Sequence, residues 1–390
     1  MQRSPAHLGI KPSHRLQTVK SSSLVALRAR AAELARSGHH VIDLSRATLG
    51  PLADDALPGD APRTASPCDD EAGLAELRAA ICTRFERDND LRFPPAQVLV
   101  SHDARHAVHV LLQALLNEDD EVVLPAPYPH AAPDLVRLAG GEPVIVRTAA
   151  RDGWRITPEQ LRGALGPRSR LLWLAGLGGT SGALYPRGEL EMLAAVLVAH
   201  PEVALLCYDL QEPFAWGASP YTNLLNAAPR LHERCVVLNA VPGGIAYMAG
   251  AAGLIAAMSR YQSHSVGGPS AARQMLALTA FAVLPAARAA SHMTLRRQHD
   301  LLMDNLGGLP GLTVRAAAGG RHVLADLRQV IAARDDVEDD AALARCLLDD
   351  TGVACAPGLA FGAPGHLRLS FAVPEVALRE GLQRLRAALS

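Results

Sequence analysis

Apolar positions along this chain recur in two alternating rhythms. Segments such as SSSLVALRARAAELARSG (residues 21–38) and GLAELRAAICTRFERDN (73–89) place them every third or fourth residue, the spacing of one helix face. Short, almost unbroken apolar runs come in between: QVLVS, EVVLP, PVIVRT, RLLWLAG, VALLCYD and RCVVLNA. Helices are expected at about 103–117 and in HAAPDLVRLAG, TPEQLRGAL and RGELEMLAAVLVAH. Apolar strands alternating with amphipathic helices predict a mostly parallel sheet covered on both faces. Past about residue 285 the order changes. A long helix (roughly 270–305) leads to LTVRAAAGGRHVLADL, a helix at 338–350, short strands in GVACAP and HLRLSF, and a last helix, PEVALREGLQRLRAAL. The expected division is an arm at 1–20, a large α/β domain at 51–285, and a small α+β domain from 21–50 and 286–390. Residues 50–72, rich in Pro, Asp, Gly and Ala, read as an irregular loop.

Charge and composition narrow the function classes. A net charge of −1 and a pI near 6.9 give no field favouring nucleic acid or an anionic membrane. No apolar run reaches the ~18 residues of a membrane span, and no apolar segment follows the charges of the N-terminus, which argues against a secretory signal. The six cysteines (68, 82, 207, 235, 346 and 355) lack paired spacing, which fits reduced thiols and a cytoplasmic setting. Of 38 basic residues 36 are arginine; the two lysines are Lys11 and Lys20.

Seven segments in order resemble the class I/II aminotransferases, fold-type I enzymes dependent on pyridoxal phosphate (PLP). GLAELRAAI is similar to the family's G-x-x-x-L-R helix, and LLQALLNEDDEVVLPAPYPHAAPDLVRLAGGEPVIV to its A-L-L-x-x-G-D-E-V-x-x-P-x-P-x-Y segment. GALYPRGELEMLAAV, YDLQEPF, RCVVLNAV, VACAPGLAFG and HLRLSFA resemble later landmarks. The resemblance implies an aspartate aminotransferase-like fold: a large, mostly parallel-sheet domain, a smaller α+β domain, and a homodimer with sites at the subunit interface. It also implies roles. Asp209 matches the aspartate that holds the pyridine nitrogen, Tyr128 the ring that stacks on the cofactor, and Arg368 the arginine that forks the substrate carboxylate.

Other positions depart from the family pattern. The family's S-K, whose lysine forms a Schiff base, aligns with Pro242 and Gly243, or with Gly244 in a register shifted by one. Its G-W-R, with a phosphate arginine, aligns with Gly250, Ala251 and Ala252; its N-P-T-G asparagine with Gly179; and the tyrosine after the aspartate with Glu212. Cys68 stands for the tyrosine that reaches the partner's phosphate, and Asp103 for the glycine opening the phosphate-binding helix. A carboxylate ~4 Å from a phosphate would be repelled by about 4 kcal/mol at an effective dielectric near 20. Gly243, Gly244, Ala252 and Cys68 are therefore read as vestigial cofactor positions.

These departures predict no cofactor, with non-covalently bound PLP or pyridoxamine phosphate (PMP) as the alternative. The expected function is a repurposed, PLP-independent enzyme acting on a small amino acid or keto acid. Its catalytic group would be Asp103, Asp209, Glu212 and His102, working by acid–base chemistry, with Arg368, Tyr128 and Gly179 binding a small carboxylate. A non-catalytic scaffold or regulator of a true aminotransferase is the other reading. His102, His106 and His109 form a helical stripe whose H-D-x-x-H pattern resembles two-histidine metal motifs. Hydrogen bonding suits them better, so no metal is expected. Lys20, near the site mouth in the family, has few partners there.

Overall fold

The computed structural model describes residues 11, 13–19, 21–48, 70–216, 221–241 and 245–390, and the side chains within these except at 282–288. The strands are β1 (Ile42–Asp43), β2 (Val98–Ser101), β3 (Glu121–Ala126), β4 (Glu142–Arg147), β5 (Ser169–Leu174), β6 (Ala204–Tyr208), β7 (Cys235–Val241), β8 (Ile245–Gly250), β9 (Thr313–Val314), β10 (His322–Asp326), β11 (Val353–Ala354), β12 (Ala356–Pro357) and β13 (His366–Ser370). The helices are α1 (His14–Gln17), α2 (Ser23–Arg36), α3 (Ala75–Asn89), α4 (Ala104–Leu115), α5 (Ala132–Leu138), α6 (Pro158–Ala164), α7 (Arg187–Val198), α8 (Leu224–Ala227), α9 (Ala252–His264), α10 (Ala271–Leu306), α11 (Arg328–Ala332), α12 (Asp340–Thr351) and α13 (Glu375–Leu389).

Seven strands form one sheet in the order β2-β8-β7-β6-β5-β3-β4. The ladders among β4, β3, β5, β6 and β7 are parallel, while β8 runs antiparallel to both its neighbours. Residues of β5, β6 and β7 are buried on both faces, which is why these strands read as unbroken apolar runs. One face packs on α3, α6, α7, α8 and part of α10, the other on α4, α5 and α9. This is the expected α/β class. A four-stranded antiparallel sheet, β12-β13-β10-β9, and a β1–β11 pair form a second core with α2, α12, α13 and the end of α10.

Strand β8 departs from the sequence expectation. IAYMAG was not read as a strand, yet all six of its residues are buried and Val241 pairs with Ile245. Only three residues, 242–244, join β7 to β8. Because β8 runs back along β7, Gly250 lies opposite Val236, near the start of β7. Gly250 to Ala252 therefore stand at the end of the sheet away from Asp209, which follows β6. The alignment of Ala252 with a phosphate-site residue is corrected by this hairpin. Gly243, Gly244, Cys68 and Lys20 lie outside the described residues.

Gly250 tests the pairing. A Cβ there would lie 2.1 Å from the Cys235 carbonyl oxygen, a backbone atom that cannot step aside. Gly250→Ala is expected to destabilise the chain by about 3 kcal/mol or more in chemical denaturation, since overpacking against backbone forces the strands apart. A loss below about 0.5 kcal/mol, typical of a neutral surface change, would rule out this register.

Candidate active site

The sheet delivers Asp209 at the carboxyl end of β6, 2% exposed, its amide donating to the Leu238 carbonyl at 2.9 Å. Asn223, at the N-terminus of α8, donates its side-chain amide to Asp209 Oδ2. Asp209 Oδ1 lies beside Gly176 and the Tyr221 hydroxyl, without a hydrogen bond of good geometry. Burial pushes this carboxyl up to about 7, and nearby Glu212 adds to the rise against lowering contacts from Tyr221 and Asn223.

Glu212, one turn on, is also buried but spoken for. Its Oε2 accepts from the Asn239 amide at 2.7 Å and lies 3.5 Å from Arg84 Nη2. Arg84 is buried on α3, with Asp88 at 3.5 Å and the Tyr247 hydroxyl bonded to it. A buried ion pair of this kind holds its members in place, because losing one partner strands the other charge.

On the small sheet, Arg368 stands on β13 with its guanidinium 4.1 Å from the Phe361 ring centre. Its Nη2 donates to the Ser45 carbonyl at 2.7 Å, and its buried Nε has no partner among the described residues. Arg28, from α2, donates to the same carbonyl at 3.3 Å. Two cations sharing one oxygen are no more than about 6 Å apart, a repulsion of about 3 kcal/mol at an effective dielectric near 20. Burial, then Arg28 and Arg321, bring Arg368 down to about 9, and only Asp43 opposes them. Asp43 is itself engaged, 2.7 Å from Arg46 and accepting from the Ser45 amide at 2.8 Å. His322, opposite Ser370 on β10, shares Arg368's sheet face; burial, then Arg368, Arg321 and Arg28, hold it well below its usual range. His130 is lowered to about 4 by burial and by Arg105, Arg28 and Arg368.

The remaining expected residues are dispersed. Asp103 is exposed and caps α4, accepting from the His106 amide at 2.8 Å. His102 Nε2 meets the Gly267 carbonyl at 3.2 Å, and His109 the Tyr261 hydroxyl at 3.3 Å. The four-member proton-transfer group is therefore corrected: Asp209 and Glu212 come together, whereas Asp103 is used as a helix cap and His102 is bound to a loop carbonyl. Tyr128 packs on Gly362 and donates its amide to Phe361 at 3.1 Å. Gly179 leaves room for Gln211, whose Cγ would lie 3.2 Å from a Cβ at that position. Among the described residues no cluster of three or more His, Cys, Asp or Glu side chains is placed to hold a metal. No described helix is long and apolar enough to cross a membrane.

A mostly parallel sheet with a buried aspartate at the carboxyl end of β6, joined to a smaller antiparallel sheet that carries an arginine on β13, is the architecture of a transferase family. The chain belongs to the aminotransferases of class I and II, whose family model matches residues 59–385. It is 35% identical to the aspartate/prephenate aminotransferase of Cereibacter sphaeroides, over 96% of this chain and 98% of that one. An aspartate aminotransferase of Geobacillus stearothermophilus is 30% identical over 96% and 98%. The structure superposes on the crystal structure of Rhizobium meliloti aspartate aminotransferase with a TM-score of 0.88 and 28% identity, covering 98% and 99% of the two chains. The Thermus thermophilus aspartate aminotransferase with maleate gives 0.85 and 30%, over 97% and 100%.

These relatives overturn the expected PLP-independent enzyme, the scaffold alternative and the absence of a cofactor. Proteins matching end to end carry aminotransferase names, and lysine scarcity alone does not outweigh that likeness. The ring end of such a cofactor fits this site: the buried, unsatisfied Oδ1 of Asp209 is the acceptor that a protonated pyridine nitrogen would meet. Residues missed from sequence include Arg28, Arg84, Asn223, Asn239, Arg321 and His322. Asn223 carried one usable signal, since N-L-L-N opens a capping box.

Asp209 makes a pH prediction for the cofactor-free chain. Its folded pKa of about 7 lies above the unfolded value, so the folded state holds the extra proton and stability falls as pH rises from about 4 to 7. The total is at most about 4 kcal/mol. Asp209→Asn should flatten this part of the profile in denaturation series at pH 4.5 and 8. Parallel profiles for the two proteins would show that Asp209 does not titrate there.

Proposed function

We propose that the protein moves an amino group between a small dicarboxylic amino acid and a 2-oxo acid, with PLP as cofactor. The observation that carries this reading is that the chain buries two groups of opposite sign without an ion-pair partner among the described residues: the Asp209 carboxyl at the end of β6, and the Arg368 guanidinium on β13, whose Nε has no hydrogen bond there. The relatives support it through their names, and the Thermus structure contains maleate, a dicarboxylate.

PLP, when bound, supplies an electron sink for the bonds at the amino carbon. Asp209 would hold the ring nitrogen of the cofactor and favour its protonated form, while Asn223 and Tyr221 orient the carboxylate. Arg368 would bind the carboxylate next to the reacting carbon and so orient the substrate. Arg84 and Asn239 hold Glu212, whose charge raises Asp209 when the ring is absent. A homodimer and a reducing, cytoplasmic setting belong to the same reading. Cys207 and Cys235 Sγ, unlinked at 3.6 Å, suit that setting.

The test joins binding to turnover. Titration with PLP, followed by absorbance, should saturate, and Asp209→Ala should weaken it by about tenfold to a hundredfold, the worth of one charged hydrogen bond. With aspartate as donor, Arg368→Ala should raise KM by about a hundredfold with a smaller effect on PLP affinity. A wild-type chain that neither binds PLP nor moves an amino group would sink the proposal.

A further inference from the structure

Two buried carboxyls, Asp209 and Glu212, stand one turn apart, and the Glu212 amide donates to the Asp209 carbonyl at 3.0 Å. Carboxyls sharing a dry site do not both ionise unless cations match them, so something must decide where the charge rests. The guanidinium that reaches the pair comes from α3. Arg84 puts Nη2 3.5 Å from Glu212 Oε2, its Nη1 donates to the Tyr247 hydroxyl on β8, and its Nε lies 3.5 Å from Asp88. Asp88 is matched by Arg87 at 2.6 Å, which leaves the Arg84 charge to Glu212. Among the described residues no cation is paired with Asp209. The amide partners sort the two acids the same way. Asn239 Oδ1 accepts from the Ala240 amide at 2.9 Å, so its NH2 faces Glu212 and donates at 2.7 Å. Glu212 Oε2 therefore faces donors from two sides, the setting of an ionised oxygen. Asn223 Oδ1 accepts from the Leu225 amide at 2.7 Å, so its NH2 faces Asp209 Oδ2. Asp209 Oδ1 is left beside the Tyr221 hydroxyl, and a proton on this carboxyl sits there.

The other titratable groups facing Asp209 do not take the charge. Burial, then Asp209 and Glu212, hold Tyr221 well above its usual range, and Cys235, then burial, do the same for the Cys207 thiol. We infer that Arg84 is a positioning residue: it assigns the negative charge of the buried pair to Glu212 and leaves the proton on Asp209 Oδ1. Glu212 stands where the family pattern has a tyrosine, so this allocation belongs to the chain's own residues. Its bearing on the cofactor rests on the proposed function. An Asp209 that starts neutral suits an uncharged, basic ring nitrogen. Its O–H bond breaks, the electron pair stays on Oδ1 and the proton moves to the nitrogen, so none is drawn from solvent.

Carboxyl-carbon NMR of the cofactor-free full chain, from about pH 4 to 9, tests it, with Asp209→Asn identifying the Asp209 signal. In the wild type that signal should titrate at about 7. Glu212→Gln removes the neighbouring charge and keeps the shape. It should lower the Asp209 midpoint by about one unit or more, a tenfold change in proton affinity. Arg84→Met should move it the same way, because a stranded Glu212 takes up a proton itself. Arg84→Lys, which keeps the cation, should hold it within about half a unit. If the methionine variant does not fold, Glu212→Gln read against Arg84→Lys gives the same comparison. A wild-type midpoint near the ordinary value of about 4 would overturn the allocation. So would a midpoint that Glu212→Gln leaves in place while thermal melts fall, which would make Arg84 and Glu212 structural only. Titration with PLP separates the two readings. If the midpoints move as expected and PLP does not bind, the proposed function fails alone; if PLP saturates the chain and the midpoints stay, the allocation fails alone.

Discussion

Charge buried without an opposite charge is the constraint that organises this molecule. Asp209 and Arg368 both sit where desolvation disfavours their ionised forms, and neither forms an ion pair with an opposite charge among the described residues. A folded chain keeps such groups only if other contacts hold the scaffold around them. The large sheet does this for Asp209 through parallel ladders buried on both faces. The small sheet does it for Arg368 through pairing on both edges, with Leu324 opposite it on β10 and Ala356 on β12. Each sheet therefore presents one buried charge suited to a ligand group of the opposite sign.

The contrast with Glu212 makes the point sharper. It is as buried as Asp209, but Arg84 and Asn239 satisfy it from within the protein. An acid so engaged is a support, not an agent. Sequence position alone suggested that Asp103, Asp209 and Glu212 were equivalent carboxylates in one pocket. Burial and partners divide them into a helix cap, a group awaiting a ligand and half of an ion pair.

What was legible in the sequence was whatever depends on local rhythm. The apolar runs located β2, β3, β5, β6 and β7, and the helical periodicity located α4, α10 and α13, because burial on a face repeats at short range. Strand β8 escaped because alanine and glycine blur the apolar pattern. A hairpin of three linking residues then moved Gly250 to the far end of the sheet. Arg28, Arg321 and His322 escaped for another reason. They meet Arg368 only in three dimensions, and nothing in R-A-R-A or G-G-R-H distinguishes a cleft cation from a surface one.

The near-absence of lysine looks different once the cleft is in view. It entered as a deficit, yet the same bias places further guanidinium groups around Arg368. A lysine buried beside two other cations would shed its proton near neutrality. Arg368, brought down to about 9, stays charged at pH 7 despite its neighbours. Around it His130 and His322 give up theirs, so the positive charge rests on the groups with fixed, planar donors. That division suits carboxylate recognition, where two parallel N–H bonds set orientation as well as attraction. The arginines therefore define the geometry of the anion side of the cleft, while Asp209 defines the single acceptor on the other.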